Sequence, residues 1–126
     1  MTYKQFKQAK RELNDKYYGD KVRISQNLLS PITPEDKIAF EELRCIDMIN
    51  SILAYDWYRG GAEEVMQMQE RRYHNYLADY VAVLGRDKVV ALIQGQIDDI
   101  DHIERNVYID GEGLPYNEII WKEELR

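Results

Sequence analysis

One stretch constrains this chain more than any other. Between Pro34 and Tyr58, the apolar residues Ile38, Ala39, Phe40, Leu43, Cys45, Ile46, Met48, Ile49, Ile52, Leu53 and Trp57 recur at helical spacing but wrap a wide arc. A surface helix shows one narrow apolar stripe, so an arc this wide requires neighbours on several sides. The stretch is therefore expected to be the central helix of a bundle. Its start is marked by Thr33-Pro34-Glu35-Asp36: a hydroxyl to cap free N–H groups, proline at the first helical position, then two acids facing the positive end of the dipole. Gly60-Gly61 closes it.

The flanking segments fit around such a helix. Tyr3, Phe6, Ala9, Leu13 and Tyr17 form one stripe behind a Thr2 N-cap, and Gly19 ends the pattern. Ala62, Met66, Tyr73, Tyr76, Leu77, Tyr80 and Leu84 form another, interrupted by Gln69 and stopped at Gly85. Val90, Ile93, Ile97, Ile100 and Ile103 line a third, flanked by Val89 and Leu92. Gly95 inside it costs roughly 1 kcal/mol against alanine, which a close helix crossing would explain. Residues 20–33 fit a strand, a helical turn or a loop. After residue 105 the pattern changes: Val107-Tyr108-Ile109 is β-rich, Asp110-Gly111 favours a turn, and Tyr116 to Trp121 alternates. The expected fold class is mainly α (α+β), a compact bundle of about four helices with a C-terminal β-hairpin. The helices span about 2–17, 34–59, 62–84 and 86–104, the hairpin about 106–122, all in one domain of 126 residues.

Composition limits function. The chain is 44% hydrophobic and 32% charged, which suits a soluble single core. A lone cysteine, Cys45, in an apolar helical pattern fits a reduced, cytoplasmic setting and inert packing. No apolar h-region follows Met1 and no long apolar run exists, so neither signal peptide nor membrane association is expected. Net charge is −6, but residues 1–23 carry seven Lys/Arg against three Asp/Glu, and the remainder ten against twenty. A basic arm on an acidic body can dock within the chain or on a second copy, and the acidic body can meet a basic partner. Direct nucleic-acid binding is disfavoured by the overall charge and by the shortness of the Lys4, Lys7, Arg11 line.

Candidate chemistry is sparse. In "DDIDHIE", Asp98 and His102 are four apart and Asp99 and His102 three apart, but carboxylate-x-x-His occurs once where a di-iron bundle needs it twice. Asp110-Gly111-Glu112-Gly113 lacks calcium-loop spacing and reads as a tight turn. No nucleophile elbow, Walker-type loop or dinucleotide fingerprint is present, so no catalytic residue, metal or cofactor is assigned. "ERRYHNY" is the best small-ligand candidate: Arg71, Arg72 and His74 with Tyr73 and Tyr76 can grip a phosphate or stack on a base, across an oligomer interface if the chain self-associates. Its bland counterpart is a polar helix face with Glu70 pairing His74.

Ten tyrosines beside two phenylalanines are the compositional anomaly. Tyrosine joins an apolar body to a polar tip and is enriched at interfaces, which favours an interaction surface or a homo-oligomer. The segment from Leu84 to Trp121, with L-G-x-x-x-V followed by N-V-Y-x-D-x-E-G-x-x-Y-N, resembles small proteins carried by phages and conjugative elements of Firmicutes and gut bacteria. The resemblance implies no catalytic residues. It implies a binding protein, such as an inhibitor of host defence of the anti-CRISPR kind. The expected partner surface is basic, met by Asp98, Asp99 and Asp101 beside Tyr108, Asp110, Glu112 and Tyr116 of the hairpin.

Overall fold

The computed structural model describes residues 1–18, 32–55, 60–109, 111 and 115–125, with side-chain surroundings for 1–18, 32–55, 60–105, 111 and 117–124. The described elements are α1 (Tyr3–Tyr17), α2 (Pro34–Tyr55), α3 (Ala62–Arg71), α4 (Ala78–Leu84), α5 (Arg86–Asp99), β1 (Ile100–Ile109), β2 (Pro115–Trp121) and a 3-10 turn (Lys122–Leu125). The chain is mostly helical with a C-terminal antiparallel hairpin. The ambiguous segment before Thr33, the end of the second helix beyond Tyr55, and Trp57 lie outside the described residues, apart from Ile32, which packs against the core.

The apolar arc does what its width requires. Helix α2 packs against α1, α4, α5 and β2, and buries Leu43, Cys45, Ile46, Ile49, Ile52 and Leu53. Ile38, in the first turn, stays exposed. Phe6, Leu13 and Tyr17 of α1, Val65 and Met66 of α3, and Val89, Leu92 and Ile93 of α5 complete the same core. Thr2 and Gln5 form a reciprocal capping box on α1, and the Thr33 hydroxyl accepts the Asp36 N–H at 3.2 Å.

Two helix boundaries depart from the sequence pattern. The segment 62–84 is two helices, because side chains near the break satisfy backbone groups that a continuous helix would use. Asn75 Oδ1 accepts the Leu77 N–H at 3.1 Å, and Gln69 Oε1 accepts the Tyr76 N–H at 3.4 Å. Tyr73, assigned to the apolar stripe, is 95% exposed, while Gln69, its polar interruption, is fully buried. The second departure is at residue 100, where helix α5 gives way to strand rather than continuing to 104. Ile100 is already extended and pairs with Trp121, and Ile103 pairs with Ile119. Isoleucines three apart mimic a helical stripe, but β-branched residues also suit a half-buried strand, and cross-strand pairing decides. The hairpin thus spans Ile100–Trp121 rather than about 106–122, with register shifts between Ile100 and His102 and between Glu104 and Tyr108. Trp121 is buried and stacks on Tyr3 with ring centroids 4.2 Å apart, tying the hairpin to α1.

Helix α5 supplies polar groups to other elements. Asp99 accepts the Tyr3 N–H of α1 at 2.9 Å, Gln94 Oε1 accepts the Ala62 N–H of α3 at 3.1 Å, and the buried Gln96 donates to the Met1 carbonyl at 2.7 Å. Gly95 faces that same backbone: a Cβ there would lie 3.0 Å from the Met1 nitrogen. The close approach is therefore to the chain before α1, not to a crossing helix. Gly85, at φ +87°, lets α4 turn directly into α5.

The basic arm docks within the chain. Lys10 pairs with Asp47 at 3.1 Å, Lys16 with Asp36 at 2.7 Å, and Lys7 with Glu123 at 3.8 Å. Asp36 also accepts the Tyr17 hydroxyl, which in turn accepts the Thr33 N–H at 3.3 Å. Hydrogen bonds from Lys16 and then Tyr17 hold the Asp36 carboxyl below its ordinary 3.8. A depressed carboxyl contributes stability that is present above the unfolded value and lost as pH falls through the folded one. Wild type should therefore exceed Asp36→Asn in denaturation midpoint at pH 7, and the gap should close below pH 3.8, as read by urea titrations at both pH values. Separately, Asp99→Ala should cost about 1 kcal/mol by urea denaturation, the loss of one helix-start acceptor, with Asp99→Asn costing less.

Candidate functional site

The residues singled out from sequence fall in two places. The acidic row straddles the α5–β1 junction, so Asp98 and His102 do not share a helix face. Asp98 is exposed and accepts from Gln94 Nε2 at 2.7 Å. Asp99 is half-buried and committed to the start of α1. Asp101 contacts His102 Nδ1 at 2.7 Å, and Glu104 lies 3.3 Å from Nε2. Hydrogen bonds to Asp101 first and Glu104 second push the His102 imidazole above its ordinary 6.5. At the far end, Tyr108 and Tyr116 are register partners. Their side chains, and the residues Asp110 and Glu112, lie outside the described set. The row is thus two exposed carboxylates, Asp98 and Asp101, beside one structural carboxylate.

The second place is the connection between α3 and α4. Because the helix breaks at Arg72, the connection from 72 to 77 folds over α2 instead of continuing away from it. Tyr73 and His74 meet edge to face with centroids 4.7 Å apart, and His74 lies against Tyr76 at 6.2 Å. These rings and Tyr80 border an open groove of about 520 Å³. Met48 and Glu41 of α2 and Asp79 of α4 complete its walls with Asn75. Glu41 is paired with Arg44 at 2.8 Å along its own helix. Burial, then the neighbouring Cys45 and Glu41, push the Tyr80 phenol up. A smaller recess of about 300 Å³ adjoins the groove through Met48 and Tyr76, and Arg72 and Gln69 line it. Arg71 is exposed on α3 and does not line the groove. Glu70 pairs with Arg86 at 2.9 Å, not with His74, because Arg86 also forks onto Glu63 and clamps α3 to α5.

Structure therefore brings Tyr73, His74 and Tyr76 together, sets Arg72 in the neighbouring recess, and leaves Arg71 apart. It adds Glu41 and Asp79, which the sequence pattern did not single out, and sets Tyr80 of the same tyrosine stripe beside them. The turn preference of Asn75 was the available signal: a break there swings Tyr73 and His74 off the helix axis onto α2. Among the described residues no group of three or more His, Cys, Asp or Glu converges on a point, and no helix is long and apolar enough to cross a membrane. Comparisons with family models, with curated proteins and with solved structures return no match.

Cys45 is fully buried, and burial together with Glu42 and Glu41 raises its thiol to about 12. The thiolate is the reactive form. In the native protein at pH 8, Cys45 should resist iodoacetamide and react only after denaturation; fast native labelling, read by mass spectrometry, would contradict this burial.

Proposed function

We propose that this chain is a non-enzymatic binding protein that occupies a basic surface on a partner protein with tyrosines framed by carboxylates. One observation carries the reading: Tyr73 and Tyr76 are 95% and 53% exposed on a short ordered connection, beside Glu41 and Asp79. Exposing tyrosine rings together costs solvation that an interface recovers, and tyrosine adds contact area with few rotatable bonds. Tyrosines framed by carboxylates, expected at the hairpin, also occur at the α3–α4 connection. Asp98 and Asp101 remain available as a second acidic contact. The likeness of Leu84–Trp121 to small phage and mobile-element proteins favours a partner in host defence, with the chain as its inhibitor.

The nucleotide-binding alternative is weaker on charge. It needs Arg71 and Arg72 to converge with the rings, whereas the groove that the rings border is walled by Glu41 and Asp79. Carboxylates repel phosphate.

A pull-down from host lysate tests the reading. A partner retained by wild type should be lost with the double variant Tyr73→Ala/Tyr76→Ala, at unchanged circular dichroism and melting temperature. Interface tyrosines of this kind cost roughly 2 kcal/mol or more each when truncated. Retention of every captured protein by the double variant would sink the proposal for this surface.

A further inference from the structure

We propose that the groove at the α3–α4 connection is a receptor for one guanidinium group, an arginine side chain presented by the partner. The inference deepens the protein-binding reading and rests on it. Two observations support it. First, the wall is aromatic: Tyr73, His74 and Tyr76 form a contiguous set of rings, and Tyr80 also lines the groove. The faces of tyrosine rings are negative and attract a cation placed over them. Second, the charge on the wall has one sign. Among the described residues, Glu41 and Asp79 line the groove and no Lys or Arg does. Arg44 pairs with Glu41 from along its own helix, and Asp79 of α4 is the groove's second carboxylate.

Arginine fits better than lysine for a geometric reason. Its planar guanidinium stacks on a ring and at the same time directs a fork of N–H groups to a carboxylate in the ring plane. A lysine ammonium is a compact, strongly hydrated point charge and cannot do both as well. The groove offers rings and a carboxylate side by side.

The test uses the intact protein and blocked tripeptides: acetyl-Gly-Arg-Gly-amide, its citrulline counterpart, which keeps the shape and loses the charge, and the lysine counterpart. Binding is followed by ¹H–¹⁵N shifts. The arginine peptide should give saturable shifts centred on residues 73–80, with a Kd of about 1 mM, as expected for a single small contact. Citrulline should give none, and lysine a response roughly fivefold weaker. Asp79→Asn should weaken arginine binding roughly fivefold while leaving the spectrum otherwise unchanged. Equal shifts with citrulline, an equal response to lysine, or no shifts at 73–80 by about 10 mM peptide would overturn the guanidinium assignment. The two readings fail separately. If the arginine peptide is silent but Tyr73→Ala/Tyr76→Ala still loses the captured partner, the receptor falls and the binding protein stands; if the double variant keeps every partner, the binding surface itself falls.

Discussion

The structure hangs on polar groups that one helix provides to the starts of two others. The first N–H groups of a helix have no partner inside it. In α1 and α3 one of them is met from outside, by Asp99 and Gln94 of α5. This explains an oddity of the acidic end of α5. Carboxylates are poorly placed at a helix C-terminus, whose dipole favours cations. Asp99 sits there because the positive end of α1 lies against it, so the unfavourable end of one dipole and the favourable end of another meet on one side chain. Gln94 acts twice, accepting from Ala62 and donating to Asp98, while Gln96 reaches the Met1 carbonyl. Three polar residues within six positions thus orient α1 and α3 on the core.

The break between α3 and α4 follows a similar logic and leads to the candidate surface. With α3 held at its start by Gln94 and along its length by Arg86, which grips Glu63 and Glu70, the chain beyond Arg71 is free to turn. Gln69 and Asn75 then take the N–H groups of Tyr76 and Leu77, and Leu77 buries fully to seed α4. Burying Leu77 fixes the connection, and a fixed connection holds Tyr73 and His74 outward over α2. The exposed rings are therefore a product of local hydrogen bonding and one buried leucine.

Part of the charge asymmetry is used up within the molecule. Lysines 7, 10 and 16 of α1 meet carboxylates of the 3-10 turn and of α2. Such exposed pairs contribute little stability each. Their larger effect is on the surface: the positive charges are held along α1, while the α3–α4 groove keeps rings and carboxylates with no Lys or Arg among the described residues of its wall. Among the described residues the two faces differ in sign, and the groove combines its negative sign with exposed aromatic area.

Periodicity by itself determined the central helix, the α1 stripe with its Thr2 cap, the Thr33 start of α2 and the existence of a closing hairpin, because each rests on local chemistry within a few residues. It also flagged Tyr73, His74 and Tyr76 as a cluster. Three matters were decided only in three dimensions. The strand began at Ile100 because cross-strand pairing with Trp121 and Ile119 outweighed a helical spacing that isoleucines satisfy equally well. Asp99 became structural because a helix start ninety-six residues away came to rest on it. Glu41 and Asp79 joined the tyrosine cluster because the connection folded back onto α2. Local sequence specifies which backbone groups need partners; only the packed chain decides which distant side chains supply them, since that depends on contacts between segments far apart in sequence.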